Sequence, residues 1–250
     1  MHKFEIVTAC VNHAHFLKET LPINKRKVDN VIVITSPTDF ETQKVCKDND
    51  VECIKTDLFF KYGAPFNRGL ALNEGFRRLK YNSWVLHLDS DIILPKGYEN
   101  ILKEDNEKLQ NNTLYGTKRV ELSDREEYLN LLKEFALFTQ PQPIGEYISN
   151  QDQVGCGFFQ LFNINSEALQ SFKHIELQFP DHMMEEFSKF GCPEFTNIAK
   201  SSGDIYPSYH TCGGSDVHFR SIWPNFIEIS VPVFHLGKDR DHAGKKIFQF

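Results

Sequence analysis

The sequence predicts an α/β domain with a mostly parallel central sheet, and three observations support this fold class. The first hundred residues alternate strand-like and helix-like segments in the order β-α-β-α-β-α-β. Within them, residues 30–36 (NVIVITS) form a continuous aliphatic run, which is typical of a strand covered on both faces. The chain has 250 residues, of which 40% are hydrophobic, so it is long enough to bury one large core.

The first half contains four predicted strands and three predicted helices. The strands follow runs of aliphatic and β-branched residues, and the last helix places Leu72, Phe76 and Leu79 on one face at i, i+4 and i+7. The predicted strands are 4–11, 30–36, 51–56 and 83–88, and the predicted helices are 15–23, 39–49 and 67–80. Because right-handed crossovers join parallel strands, we expect a ligand crevice beyond the carboxyl ends of these strands.

The second half is less regular, and its pattern predicts helices, strands and two loops. The predicted helices are 123–137, 181–190 and 215–223, the predicted strands are 154–162 and 226–237, and the predicted loops are 139–150 and 201–214. The second loop is rich in Gly, Ser and Tyr, so we expect it to be mobile. No repeat, low-complexity segment or linker interrupts the chain, which favours a single domain spanning residues 1–250.

The composition excludes some partners and indicates a compartment. A net charge of −6 gives no overall positive field for nucleic acid or anionic membranes, although a local basic patch stays open. No window approaches the ~20 apolar residues of a membrane span, and the first residues lack the apolar segment of a secretion signal. The six cysteines form no C-x-x-C pair, so we expect free thiols and a cytoplasmic location.

The stretch WVLHLDSDIILP, residues 84–95, places two carboxylates between apolar runs, directly after the fourth predicted strand. A desolvated carboxylate needs a cation, backbone N–H groups or water as its partner. Asp89 and Asp91 form a D-x-D motif that can reach one divalent cation, and carboxylate oxygens suit Mn²⁺ or Mg²⁺. A solvated turn or a helix N-cap is the structural alternative, and the position beyond an apolar strand favours the metal site.

Two residues of the second half carry chemistry that fits this acidic pair. His235 ends an apolar strand, and imidazole is a good Mn²⁺ ligand beside a carboxylate, although a core or surface histidine is the alternative. Asp216 follows Gly213 and Gly214, which allow the backbone to approach a ligand closely. A helix N-cap is the alternative interpretation of Asp216.

The segment PFNRGLALNEGF…WVLHLDSDIILP, residues 65–95, resembles the donor-site block of GT-A glycosyltransferases. It is closest to the galactosyltransferase and chondroitin-synthase type and to family 2-like glycosyltransferases. The matching residues are Phe66, Asn67, Arg68, Leu72, Asn73, Gly75, Phe76, Asp89, Asp91 and Pro95. Three later blocks follow in the family's order: VGCGFFQLF is similar to its acceptor-side strand, GGSDVHFR to the segment with the catalytic base, and PVFHLG to the strand whose His completes the metal site.

The resemblance implies a GT-A, Rossmann-like fold and the activity of a glycosyltransferase of the hexosyltransferase type. Residues 1–95 would bind a nucleotide-sugar donor, with UDP as the expected nucleotide, and residues 96–250 would face the acceptor. The implied donor-binding residues are Thr8, Ala9, Phe66, Asn67, Arg68, Asp89, Ser90 and Asp91. The implied metal ligands are Asp91 and His235, with Asp89 as a further possibility, for Mn²⁺ or Mg²⁺. Asp216 would be the general base of an inverting transfer, with Gly213, Gly214 and Trp223 on the acceptor side.

The sequence also departs from the family pattern. Ser215 stands where the family has a Glu before its catalytic Asp, and Pro232 stands where some relatives have a sulfur ligand. The second strand lacks the usual nucleotide-contacting acid at its end, where this chain offers Thr35, Ser36 or Asp39 instead.

Two other functions stay open. A nucleotidyltransferase also needs a cation at a pyrophosphate, but it would usually carry a Gly-rich basic loop after its first strand, which TACVNHAHF lacks. A non-catalytic nucleotide- or sugar-binding module would not need the complete set of Asp89, Asp91, Asp216 and His235. The donor sugar is open, and the acceptor is open among a glycan, a protein, a lipid-linked sugar and a modified nucleic-acid base.

Overall fold

The computed structural model describes residues 2–63, 66–104, 109–122, 157–172, 204–208 and 215–236. It confirms the predicted α/β class with a mixed, mostly parallel sheet, whose described strands run in the order β3-β2-β1-β4-β7-β6-β8-β5. The strands are β1 (Phe4–Ala9), β2 (Asn30–Thr35), β3 (Glu52–Lys55), β4 (Trp84–Leu88), β5 (Ile92–Ile93), β6 (Thr113–Leu122), β7 (Phe159–Asn163) and β8 (Asn225–Leu236). The helices are α1 (Ala14–Asn24), α2 (Phe40–Asp48), α3 (Arg68–Phe76), α4 (Tyr98–Glu104), α5 (Glu167–Phe172) and α6 (Ser215–Ser221), and a 3₁₀ helix spans Asp57–Gly63.

Strands β1 to β4 form the parallel half that the sequence predicts. Strand β1 pairs in parallel with both β2 and β4, and β3 pairs in parallel with β2. Helix α3 lies very close to this half, because a Cβ atom on Gly75 would come within 2.7 Å of the side chains of Val7 and Ile34. The absence of a side chain at Gly75 therefore lets the helix pack directly on the sheet.

Strands β5 to β8 form a mixed half that the sequence predicts only in part. Strand β7 runs antiparallel to β4 and β6, β5 runs antiparallel to β8, and β6 and β8 are parallel. Strand β6 was not predicted, because its sequence TLYGTKRVEL contains a glycine and three charged residues that interrupt the hydrophobic pattern. The predicted strand at 154–162 begins only at Phe159, after the positive-φ residue Gly157.

The prediction of a mobile loop over residues 201–214 is wrong for residues 204–208, all of which are buried. Asn73 of α3 holds this segment, since its Oδ1 accepts the N–H groups of Ile205 (3.0 Å) and Tyr206 (2.9 Å). Its Nδ2 donates to the carbonyl oxygen of Tyr206 at 2.9 Å. A Cβ atom on Gly69 would lie 1.9 Å from the carbonyl oxygen of Pro207, so Gly69 permits the close approach of the segment to α3.

Several predicted elements cannot be compared with the structure, and two predictions from composition concern the described residues. The helices predicted at 123–137 and 181–190 and the loop predicted at 139–150 lie outside the described residues. Among the described helices, none has the length and apolar character required to cross a bilayer. The described cysteines Cys10, Cys46 and Cys53 are free thiols, as the sequence predicts.

Candidate functional site

Helix α1 fixes the Asp-Ser-Asp turn (residues 89–91) that follows β4. Thr20 Oγ1 donates to the carbonyl oxygen of Ser90 at 2.7 Å, and Asn24 Nδ2 donates to the carbonyl oxygen of Ile92 at 2.7 Å. Thr20 and Asn24 stand at i and i+4, so they share one face of the helix, and both are buried. The turn is therefore held by polar side chains whose role no sequence pattern indicates.

Asp91 and His235, which the sequence analysis proposes as metal ligands, lie next to each other at the end of the sheet. The antiparallel pairing of β5 with β8 places Ile92 opposite His235, and the Asp91 Oδ2 atom lies 3.2 Å from the His235 Nε2 atom. The other carboxylate oxygen, Oδ1, is buried and has no hydrogen-bond partner among the described residues. Adjacent ligands of an octahedral cation lie about 3.0 Å apart when each metal–ligand bond is about 2.1 Å. The pair therefore fits two neighbouring positions around Mg²⁺ or Mn²⁺.

The same pair is a strong ion pair when no cation separates it. Burial lowers the pKa of His235, but hydrogen bonds and opposite charge from Asp91 and Glu121 outweigh it and raise the pKa to about 9. Burial raises the pKa of Asp91, but the hydrogen bond and the charge of His235 outweigh this effect, so that the pKa is lowered overall. A cation at this position would thus replace a proton on His235.

Glu121 is a third group at this end of the sheet that the sequence analysis missed. It lies on β6, opposite His235 in the parallel β6–β8 register, and its Oε2 atom contacts the His235 Nδ1 atom. The contact engages the ring nitrogen that faces away from Asp91. Accordingly, the described residues contain no group of three or more His, Cys, Asp or Glu side chains that converges as a metal site.

Arg68 joins the acidic turn to the candidate base. Its Nη1 atom lies 3.1 Å from Asp89 Oδ1, and its Nη2 atom lies 3.7 Å from Asp216 Oδ2. The Arg68 side chain is only 12% exposed. The predicted contact of Arg68 with a base or diphosphate stays a prediction. The observed arrangement shows instead that one guanidinium group holds two carboxylates that are distant in sequence.

Burial and neighbouring charges shift the pKa of Asp89. Burial raises the pKa of Asp89 to about 7, with further increases from the carboxylates of Asp91 and Asp216, while the positive charge of Arg68 opposes the shift. His87 lies behind it, and burial together with the charge of Arg68 lowers the pKa of His87 to about 3, so this histidine is neutral. Three carboxyl groups therefore lie near two cationic side chains, Arg68 and His235, and this excess of negative charge would favour an additional cation.

Asp216 lies in the first turn of α6 and faces Arg68, so the alternative interpretation as an N-cap does not describe its side chain. Its carboxylate approaches the backbone of Gly157, where a Cβ atom would lie 2.4 Å from Oδ2. Gly157 also has a φ of +82°, a conformation that disfavours other residues. The backbone conformation thus favours glycine at this position, and a larger residue would also displace the Asp216 carboxylate.

The remaining predicted donor-binding residues have contacts of their own. The Thr8 hydroxyl is buried and donates to the carbonyl oxygen of Leu88 at 2.9 Å, so it holds the end of β4. Asn67 is fully buried and caps α3, since its Oδ1 atom accepts the N–H group of Leu70 at 3.0 Å. Ala9 ends β1, and Phe66 stacks on Phe59 with ring centroids 5.1 Å apart. Direct contact of these residues with a nucleotide stays a prediction.

The predicted acceptor-side residues are not brought together by the described structure. Trp223 is 7% exposed and packs against Phe162 and Phe219, at centroid distances of 5.6 Å and 5.8 Å. Trp223 therefore packs within a cluster of aromatic rings, and its place on the acceptor side stays a prediction. Gly213 and Gly214 lie outside the described residues.

Comparisons with known proteins give similarities at the level of solved structures. No family model matches the sequence, and no curated protein matches it. Glucosyl-3-phosphoglycerate synthase from Mycobacterium tuberculosis, in complex with Mn²⁺, UDP-glucose and phosphoglyceric acid, is 12% identical with a TM-score of 0.49, over 99% of this chain and 77% of that chain. Mannosyl-3-phosphoglycerate synthase from Rubrobacter xylanophilus is 12% identical with a TM-score of 0.48, over 98% and 70%.

A synthase with a different kind of name is also among the similar solved structures. The 4-diphosphocytidyl-2C-methyl-D-erythritol synthase from Anaerococcus prevotii is 14% identical with a TM-score of 0.42, over 88% of this chain and 97% of that chain. Similarities at such low identity and TM-score do not indicate which reaction a protein catalyses, because one fold can carry many different functions.

Proposed function

We propose that the protein is a GT-A-type glycosyltransferase that moves a sugar from a nucleotide-sugar donor to an acceptor hydroxyl. UDP is the expected nucleotide, and Mn²⁺ or Mg²⁺ is the expected cofactor. The observation that carries the proposal is the convergence of Asp89, Asp91, Asp216 and His235 around Arg68 and the end of β8. These four residues come from separate sequence blocks whose order resembles that of GT-A glycosyltransferases.

The donor would bind beside the Asp-Ser-Asp turn. Asp91 and His235 would hold the divalent cation, and both the 3.2 Å separation and the unpartnered Asp91 Oδ1 atom support this assignment. When bound there, the cation supplies positive charge that stabilises the departing nucleoside diphosphate. Asp89 lies on the same turn, where its carboxylate would accept a hydrogen bond from a ribose hydroxyl or from a metal-bound water.

The acceptor would bind on the side of Asp216. The Asp216 carboxylate would take the proton from the acceptor hydroxyl while the hydroxyl oxygen forms a bond to the anomeric carbon of the sugar. The bond from that carbon to the diphosphate oxygen breaks in the same step, which inverts the configuration. Arg68 orients the Asp216 carboxylate through its Nη2 atom, and Gly157 leaves the space that this carboxylate occupies.

One experiment separates the proposal from its two alternatives. The purified protein is incubated with a panel of nucleotide-sugars and, separately, with nucleoside triphosphates and sugar phosphates, each with Mn²⁺ and with EDTA. A glycosyltransferase releases nucleoside diphosphate from a nucleotide-sugar, even by slow hydrolysis, and EDTA suppresses the release. Release of pyrophosphate from a nucleoside triphosphate would indicate a nucleotidyltransferase. Binding of a nucleotide-sugar without turnover across the panel would indicate a binding module.

A further inference from the structure

Four side chains form a continuous polar chain across strands β6 and β8 and the turn before β5. Arg119 Nε lies 2.6 Å from Glu121 Oε1, Glu121 Oε2 contacts His235 Nδ1, and His235 Nε2 lies 3.2 Å from Asp91 Oδ2. Each of these side chains is at most 24% exposed. The strand register fixes the central contact, since Glu121 and His235 are directly paired neighbours in adjacent strands. The chain therefore extends the candidate metal pair by two residues into the sheet.

One imidazole nitrogen cannot bind a metal and donate a hydrogen bond at the same time. The two functions therefore fall to different nitrogens of the ring. When Nδ1 carries the proton and donates it to a carboxylate, Nε2 presents its lone pair to the other side. At His235 the carboxylate of Glu121 is on the Nδ1 side, and the Asp91 carboxylate is on the Nε2 side. A carboxylate behind a ligating histidine fixes the ring orientation and increases the basicity of the ligand.

We propose that Glu121 is a positioning residue that orients His235 for a divalent cation, and this rests on the cation site of the proposed function. Glu121 fixes the Nδ1–H form of the ring, so that Nε2 and the Asp91 carboxylate face the same point. Glu121 acts through His235 and does not itself touch the cation, because its Oε2 atom contacts Nδ1, the ring nitrogen on the side away from Asp91.

Arg119 completes the arrangement by holding Glu121 itself. The guanidinium carbon of Arg119 lies 5.2 Å from the centroid of the Phe158 ring, a distance at which a cation and an aromatic face attract each other. The Arg119 Nε atom lies 2.6 Å from one Glu121 oxygen, an ion-pair contact without hydrogen-bond geometry, and the other oxygen contacts His235. The Glu121 carboxylate thus has a charged or ionisable neighbour on each side.

The test measures Mn²⁺ binding to the metal-free protein, with no donor or acceptor present, from the electron paramagnetic resonance signal of free Mn²⁺. Four variants are compared with the parent: Glu121→Ala, Glu121→Gln, His235→Ala and the control Glu228→Gln. Glu228 lies on β8, as His235 does, but near the opposite end of the strand. Its side chain pairs with Lys118 of β6 at 3.3 Å. Removal of a partner behind a metal ligand typically weakens metal binding by about 10–100-fold.

We expect Glu121→Ala to weaken Mn²⁺ binding by about 10–100-fold. The Glu121→Gln variant should weaken it less, because an amide oxygen still accepts the Nδ1–H hydrogen bond but carries no charge. The control Glu228→Gln should bind Mn²⁺ as the parent does. At one Mg²⁺ concentration that saturates the parent, ¹H–¹⁵N correlation spectra should place the His235 proton on Nδ1 alone in the parent and mainly so in Glu121→Gln, whereas the cation-free fraction of Glu121→Ala should show protons on both nitrogens. A role in stability alone would not change that distribution.

The outcomes separate this inference from the proposed function. Parent-like Mn²⁺ affinity in both Glu121 variants, with weak binding in His235→Ala, would overturn the role of Glu121 and leave the cation site intact. Parent-like affinity in His235→Ala would overturn the cation site and the inference with it. If Glu121→Ala does not fold, the near-isosteric Glu121→Gln decides, and unchanged affinity in that variant overturns the inference.

Discussion

The parallel half of the sheet (β1–β4) and the mixed half (β5–β8) contribute differently to the candidate site. In the parallel half, strands such as β2 and β4 are almost entirely buried and carry mainly aliphatic side chains. In the mixed half, β8 is exposed or half-buried over its first seven residues and buried only towards its end, next to His235. The parallel half ends in the acidic turn, while the mixed half supplies His235 and Glu121. The parallel half therefore positions the acidic turn, and the mixed half adds the histidine and glutamate side chains beside it.

The largest expected effect concerns the candidate base, beside the mixed half. Asp216→Asn preserves the size of the side chain but removes the group that accepts a proton, so transfer should fall by about 10²–10⁴-fold. Donor and Mn²⁺ affinity should stay near the parent values, because Asp216 contacts neither in the proposed mechanism. Steady-state rates with Mn²⁺ and a binding titration measure the two quantities. A stable Asp216→Asn protein with near-parent transfer would remove Asp216 from the mechanism.

The next effect concerns the acidic turn at the end of the parallel half. Asp91→Asn removes the negative charge at the candidate cation site, and Mn²⁺ affinity should fall by at least the roughly 10–100-fold that changes behind a ligand produce. Calorimetric titration of Mn²⁺ into the metal-free protein measures this. The matched control is Asp48→Asn, which breaks an exposed ion pair with Lys44 on α2. Equal Mn²⁺ affinity in Asp91→Asn and in the control would show that Asp91 is not a ligand.

A change at Asn73, whose hydrogen bonds go to residues 205 and 206 and not to the carboxylates of the site, should affect stability instead. Asn73→Ala removes three hydrogen bonds that hold residues 205 and 206 against α3, and leaves two N–H groups and one carbonyl oxygen buried without that partner. The free energy of unfolding should fall by about 2–4 kcal/mol, which urea denaturation measures. Mn²⁺ affinity of the folded fraction should change little. Loss of Mn²⁺ binding without loss of stability would place Asn73 at the site.

The smallest effect is a dependence of stability on pH in the metal-free protein. The folded-state pKa of His235, about 9, lies above its ordinary value of 6.5, so its stabilising contribution is complete below pH 6.5 and is lost as the pH rises through 9. Between pH 7.5 and 9.5, the melting temperature of the parent in EDTA should therefore fall by several degrees. The His235→Gln variant should show a smaller fall, and an equal fall in both proteins would contradict the raised pKa.

The sequence analysis predicted the parts of the site whose signals are local. Asp91 was singled out because it comes shortly after an apolar strand, and His235 because it lies near the end of one. They were predicted as a pair because their blocks occur in an order that resembles a known family. The structure places them 3.2 Å apart. Asn73 and Gly75 belonged to the same block, and their observed roles are in packing: one holds residues 205–206, and the other allows α3 to approach the sheet.

The parts that were missed depend on contacts between strands and helices that no local pattern encodes. Glu121 becomes relevant only through its register with His235, and its strand is too polar to be recognised as one. Thr20 appears as an ordinary helix residue until the helix packs on the Asp-Ser-Asp turn. Trp223 is on the acceptor side by the resemblance alone, and its packing against Phe162 and Phe219 could not be predicted from the sequence.

The hydrogen bonds from Thr20 and Asn24 to the Asp-Ser-Asp turn limit how far the turn can move when a ligand binds. Asn24 also accepts the N–H group of Leu94 at 2.9 Å, and the N–H group of Ile92 donates to the carbonyl oxygen of Asp89 at 3.2 Å. These amides are therefore protected before any ligand arrives, so their hydrogen exchange should be slow with or without Mn²⁺. Because the backbone of the turn is already ordered, nucleotide binding would be accompanied mainly by side-chain rearrangement. The loss of conformational entropy on binding would then be smaller.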